Sequence, residues 1–191
     1  MPQPTPPEIE LDVAQNREDL EQILALQASN LPSVLEPITQ KEHGFVTIQH
    51  DLALLEKMNH PYPHVILRYQ EKIAGYALVM LKEMATYIPI LKALFAHLEK
   101  LSYQGKNISA YSFFIMGQIC IDKALRGKGL FKVLYHGMRN QMAAHFDFVI
   151  TEVADQNQRS LKAHHRVGFQ TMLSYENDQQ EGWHILLWDW R

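Results

Sequence analysis

Of all its segments, Arg126-Gly127-Lys128-Gly129-Leu130 most constrains what this chain can become. It follows a strand-like run, Phe113 to Ile121, and opens a helical pattern that runs to about His145. Two glycines one residue apart let backbone N–H groups converge on a concave surface with no Cβ atoms in the way. The helix behind them adds its unpaired N-terminal N–H groups and the positive end of its dipole. Arg126 and Lys128 supply full charges beside that surface. These features make an anion cradle, and a pyrophosphate suits it best. The same spacing also describes a plain strand-to-helix turn with solvated basic residues. A Walker loop is excluded, because no Gly-Lys-Ser/Thr is placed as that loop requires. A dinucleotide fingerprint is excluded too, since Lys132 stands where its third glycine belongs.

Length and composition bound the rest. At 191 residues, 47% hydrophobic and 20% charged, the chain predicts one domain with a sizeable core. The net charge of −3, with no run of Lys and Arg, argues against a nucleic-acid partner. A single cysteine, Cys120, excludes an intramolecular disulfide and fits a reducing compartment. No apolar run is long enough for a membrane span, and Met1 to Pro7 carries four prolines and no signal core. The expectation is a cytoplasmic protein, bound neither to membrane nor to nucleic acid. It would have a proline-rich lead-in over residues 1–7 and one domain over residues 8–191.

Periodicity lays out that domain. Alternation over Glu8 to Ala14 predicts a half-buried strand. Asn16, with Asp19 three residues on, caps a helix carrying Leu20, Ile23 and Leu24. Ser33 to Gly44 reads as a loop, and Asp51 to Met58 as a short helix that Asn59-His60-Pro61 stops. His64 to Tyr69 and Ile73 to Leu81 form a hairpin. An inserted helix follows, opened by Pro89, with Ile90, Leu91, Leu94, Phe95, Leu98 and Leu101 on one stripe and Tyr103-Gln104-Gly105 ending it. That stripe packs on its own core, or serves as a lid or a contact with a second copy of the chain. After the cradle, its helix turns Leu130, Val133, Leu134 and Met138 inward. A strand over Phe146 to Ala154, a helix from Asn157 to Gly168 and a hairpin turning at Asn177-Asp178 complete the chain. The fold class is α/β: one mixed central sheet flanked by helices, with an extra helix between the third and fourth strands.

Three separated elements now stand in one order: Arg126-Gly127-Lys128-Gly129, then Thr151-Glu152-Val153, then Asn157, Ser160 and His164 to Phe169. Over about Gly117 to Phe169 the chain resembles the GNAT family of acetyl-CoA-dependent N-acetyltransferases. The family's cradle opens on Gln or Arg, where this chain has Ala124. The resemblance implies acetyl-CoA as co-substrate, no metal, and an amine-bearing small molecule or peptide as acceptor. It implies direct acetyl transfer to a primary amine in a ternary complex. The alternative is a non-catalytic acyl-CoA-binding sensor or interaction module on the same fold.

It also implies roles for particular residues. Backbone groups of Ile119, Cys120 and Ile121 would meet the pantetheine arm and the thioester carbonyl. Arg126, Gly127, Lys128, Gly129 and Leu130 would hold the pyrophosphate. Asn157 and Ser160 would contact the arm, or serve simply as a helix cap and its partner. Glu152 is the candidate base, a lone carboxylate on a strand with Ile150 and Ala154 on its face. His164 occupies the place of the family's tyrosine general acid, and would protonate the departing thiolate or merely pack. Cys120 suits a buried apolar thiol better than a covalent acyl carrier. For the acceptor, Glu36, Glu42, Asp51 and Glu176 mildly favour a cationic amine.

Overall fold

The computed structural model describes residues 8–31, 49–89 and 91–191. The proline-rich lead-in, the Ser33 to Gly44 loop with Glu36 and Glu42, and Ile90 lie outside these residues.

Seven strands make one sheet: β1 (Ile9–Val13), β2 (Val65–Tyr69), β3 (Lys72–Met80), β6 (Phe113–Ile121), β7 (Phe148–Ala154), β8 (Gln170–Glu176) and β9 (Gly182–Asp189). Their spatial order is β1-β2-β3-β6-β7-β9-β8. Neighbours are antiparallel except β6 and β7, which run parallel. Helices α1 (Arg17–Ala28), α2 (Leu52–Met58) and α3 (Leu91–Leu98) cover one face. Helices α4 (Leu130–Met142) and α5 (Gln158–Val167) lie on the other. A side chain buried on either face, such as Ile23, Leu55 or Leu134, contributes about 1.5–3 kcal/mol through lost apolar exposure. No helix among the described residues is long and apolar enough to cross a membrane.

Local chemistry explains most boundaries. Asn16 caps α1 by accepting the Asp19 N–H at 3.0 Å, and Asp19 in turn accepts the Gln15 N–H at 2.8 Å. The β2–β3 hairpin turns on Gln70 and Glu71, both at positive φ, as a type I′ turn requires. At the far end, Asn177 Oδ1 accepts the N–H groups of Gln179 and Glu181 and holds the β8–β9 turn.

Two expectations need correction. Val133 is 39% exposed; the buried stripe of α4 is Leu130, Leu134, Tyr135, Met138 and Met142. Tyr135 takes the inward place because the face turned to the sheet is wide enough for adjacent positions of a helical turn. The inserted segment, moreover, is more than a helix. After α3, two short strands, β4 (Ser102–Tyr103) and β5 (Lys106–Asn107), pair around Gln104 and Gly105, both at positive φ. Tyr103 is thus strand rather than helix stop. Leu91, Leu94 and Leu98 pack into the core of the first face, so the stripe is spent on the domain itself.

Candidate active site

The site begins where β6 leaves β7. The two pair only through Phe113, Phe114 and Ile115, opposite Phe148, Val149 and Ile150. Beyond Ile115, β6 takes one extra residue against β3: Met116 faces Val79 while Ile119 faces Ala77. Such a bulge bends the strand and increases its twist. It also reverses the strand's faces, so that Ile115 and Cys120 lie on one side and Met116, Ile119 and Ile121 on the other. The Thr151 hydroxyl spans the opening gap by donating to the Met116 carbonyl at 3.1 Å.

The opened edge exposes particular backbone groups. Asp122 N–H bonds the Ala74 carbonyl at 2.8 Å, which fixes the alternation of the β3–β6 ladder. Cys120 therefore turns its amide and carbonyl toward Tyr76, and Ile119 and Ile121 turn theirs into the gap. The Ile121 carbonyl accepts the Arg126 Nε–H there at 2.9 Å.

Past the strand, Gly127 and Gly129 adopt φ of +80° and +78°, the left-handed region that L side chains enter only with strain. A Cβ built on either would meet nothing within 4 Å, so the space before them is open. Gly129 caps α4 by backbone alone, leaving the helix's first N–H groups directed outward. The gap and this cradle share a cleft of about 890 Å³. Its walls include Ile119, Cys120, Ile121, Arg126, Gly127, Gly129 and Leu130 on one side, and Asn157, Ser160 and Arg166 on the other. An extended molecule with a phosphate end and amide groups along its length fits such a cleft: N–H groups for the phosphate, a bare strand edge for the amides.

A family comparison decides what that shape means. The acetyltransferase (GNAT) family matches residues 20–169. The chain belongs to the GNAT acetyltransferase family. No curated protein matches the chain. Solved structures do. The ribosomal-protein-S18-alanine N-acetyltransferase of Escherichia coli is 12% identical, with 95% of this chain and 94% of that one covered and a TM-score of 0.60. An acetyltransferase of Salmonella typhimurium, yncA, determined with its cofactor acetyl-CoA, is 15% identical over 95% and 93% of the chains, TM-score 0.60. A GNAT acetyltransferase of Streptococcus agalactiae is 14% identical over 96% of each chain, TM-score 0.65. At these identities the likeness is one of fold. The protein is a GNAT-family, acetyl-CoA-dependent acetyltransferase, and the 890 Å³ cleft with its glycine cradle and open strand edge fits that co-substrate.

In this acetyltransferase the sequence-derived residues fall at three depths. Nine of the ten residues assigned to the coenzyme line the cleft; Lys128 is exposed and does not. Arg126 lines it, but its guanidinium also bonds the Ile121 carbonyl and the Asn30 side chain, tying the end of β6 to α1. It braces the cradle as well as charging it. Asn157 caps α5, accepting the Ser160 N–H at 3.3 Å, and is buried at the cleft wall. Cys120 is buried, and that burial pushes its thiol up to about 11, which leaves it protonated and inert as a nucleophile.

Glu152 and His164 line a second, small cavity of about 60 Å³ that shares Ile119, Asn157 and Ser160 with the cleft. Glu152 is half-buried, and burial raises its carboxyl above the ordinary range although the Tyr175 hydroxyl, donating to Oε1 at 2.5 Å, pulls the other way. A carboxylate so placed is a stronger base than an exposed one.

Of the two roles open to His164, its surroundings favour packing. It is 1% exposed, packed edge-on against Phe131, Tyr135 and Phe169. Its Nδ1 lies 2.8 Å from the Ser160 carbonyl, an acceptor only, so Nδ1 carries the proton. Nε2 then accepts the Tyr135 hydroxyl at 2.6 Å. Burial lowers the imidazole to about 4. A charged His164 that donates a proton at neutral pH is therefore not what the fold builds.

Sequence reasoning also missed a buried polar group behind the gap. Gln27 donates to Gln118 Oε1 at 2.7 Å and to His50 Nδ1 at 2.8 Å, and accepts the His50 backbone N–H. Tyr76 adds its hydroxyl to Gln118 at 2.6 Å. This cluster locks α1 to the bulged part of β6. A buried Gln pair separated by ninety-odd positions leaves no local periodic signal, and only Gln118 beside a glycine hinted at it. Among the described residues no His, Cys, Asp and Glu group is arranged to hold a metal ion.

Proposed function

We propose that this acetyltransferase passes the acetyl group directly to a primary amine of an acceptor within a ternary complex, with Glu152 as the base. The observation that carries this is a half-buried carboxylate of raised pKa in a small cavity that shares Ile119, Asn157 and Ser160 with the cleft. Acetyl-CoA, when bound, supplies the acetyl group as a thioester. The glycine cradle and the first N–H groups of α4 hold its phosphate end. The open edge at Ile119 and Ile121 orients its arm, and an N–H of that edge offers a hydrogen bond to the thioester oxygen as charge develops there. Glu152 removes the proton from the incoming ammonium or amine. The departing thiolate needs no buried acid, since a thiol's ordinary pKa is about 8.5; the Ser160 hydroxyl lies in the cleft to bond it. The likeness to a ribosomal-protein-S18-alanine N-acetyltransferase adds peptide α-amines to the acceptors worth testing, beside polyamines and aminoglycosides. The single domain over residues 8–191 carries the whole site.

The test is a free-thiol assay of the parent and Glu152→Gln across those amines. Glu152→Gln is expected to keep acetyl-CoA affinity and lose roughly 10²-fold or more in turnover. Turnover within a factor of about three of the parent removes Glu152 from the mechanism.

A further inference from the structure

Glu152 is held by a residue that no motif announces. Tyr175 lies on β8, and β9 separates β8 from β7. Across β9, Glu152 is opposite Ile185, and Tyr175 is opposite Trp183, two positions along on the same face. Tyr175 thus reaches diagonally over an intervening strand to donate its 2.5 Å hydrogen bond to Glu152 Oε1. Its ring is itself braced: the imidazole of His97, on α3, lies against it with centroids 4.1 Å apart and planes at 38°. α3 is anchored in the core by Leu91, Leu94 and Leu98, which leaves His97 on its flank over β8.

Resting on the assignment of Glu152 as the base, we infer that Tyr175 is its positioning residue and that the inserted helix α3, through His97, holds Tyr175 in place. The bond fixes one carboxylate oxygen and leaves Oε2 for the acceptor amine. Without it, a half-buried glutamate on a strand can turn among its rotamers. Tyr175 stays a donor throughout the working range, because burial first and the neighbouring carboxylate second raise its pKa. Among the described residues, the other titratable groups around the pair are His97 from α3 and, in the shared cavity, His164 from α5, which is neutral. Cys120 of β6 and Tyr76 of β3 lie on the same side of the sheet and are held protonated by burial. Glu176 and His184, next to the pair along β8 and β9, point to the opposite face by strand alternation. Among the described residues, Tyr175 is thus the one hydrogen-bonding influence on Glu152's proton.

The experiment follows the Glu152 carboxyl directly, by carbon-13 NMR of the glutamate-labelled full chain, its signal identified by its loss in Glu152→Gln. Tyr175→Phe keeps the ring and the stack on His97 but removes the donor. Its Glu152 titration midpoint is expected to rise by about one pH unit or more, the scale of a hydrogen bond to a charged group. With the amine of highest turnover in the free-thiol assay, the acidic limb of kcat should move up in step while acetyl-CoA affinity stays unchanged. His97→Ala should give a smaller shift in the same direction, and His97→Phe, which restores a ring, should return it to the parent value. An unmoved midpoint in Tyr175→Phe overturns the inference. A parent-like His97→Ala overturns the part given to α3. Loss of turnover in Glu152→Gln with an unmoved limb in Tyr175→Phe sinks this inference alone; full turnover in Glu152→Gln sinks the assignment of the base and the inference with it.

Discussion

His164 shows how one substitution is decided by its neighbours. In sequence it stands where the family's tyrosine acid stands; in the fold it is a neutral, doubly bonded core residue whose partner, Tyr135, supplies a phenol from another helix. Placing a phenol beside that position through α4 keeps a hydroxyl nearby but buries it. His164→Phe should therefore leave Tyr135 with a buried, unmatched hydroxyl and cost about 1–3 kcal/mol of stability. The double variant Tyr135→Phe/His164→Phe should recover much of that loss. Turnover per folded molecule should stay within about threefold in both. Denaturant unfolding checks the first pair of expectations and steady-state kinetics the last. A stable His164→Phe protein with turnover lost would return the histidine to the chemistry.

At the scale of elements, the joint between β6 and α4 does two jobs with little side-chain chemistry. The bulge between Met116 and Ile119 turns the strand edge toward the cleft, and the two positive-φ glycines turn N–H groups toward the end of the cleft beside α4. Gly129→Val would force a branched residue to φ near +78°, at a cost of about 1–2 kcal/mol per residue in the left-handed region, and fill the open space before α4. Calorimetry should find CoA affinity lowered at least about tenfold. Lys128→Ala, at an exposed position outside the cleft lining, should lower it much less. The reverse ranking would place the phosphates elsewhere.

For the molecule as a whole, buried histidines set the acid limit of stability. Burial holds His50 and His164 down to about 4 and His64 to about 3, against an ordinary 6.5. Each stays neutral in the fold and charges on unfolding, so its contribution is complete above about pH 6.5 and is lost as pH falls toward its folded pKa. Glu152, its folded pKa being raised, opposes them in part. From pH 6.5 to 5, before most carboxylates titrate, the three histidines dominate, each worth up to about 1.4 kcal/mol per pH unit. The urea midpoint should fall steadily over that window. A flat midpoint from pH 6.5 to 5 would contradict the burial of these rings.

Local signals in this chain determine local things. The glycine pair, the Asn16 and Asn157 caps, the hairpin turns and the apolar periods each act within a few residues, and each was legible from sequence. Hence the mixed sheet, the helices on both faces and the glycine turn are legible in the sequence. What needed the tertiary structure was every feature made by distant partners. The face reversal of β6 depends on its pairing with β3; the pKa of His164 depends on Tyr135, Phe131 and the desolvation they impose; Glu152's bond comes from a strand two places away. Val133 was misplaced for a related reason. A helical period gives a face's direction but not its width. Burial and long-range hydrogen bonding are sums over neighbours that the chain brings together only by folding, so a linear pattern carries the candidates and the fold assigns their states.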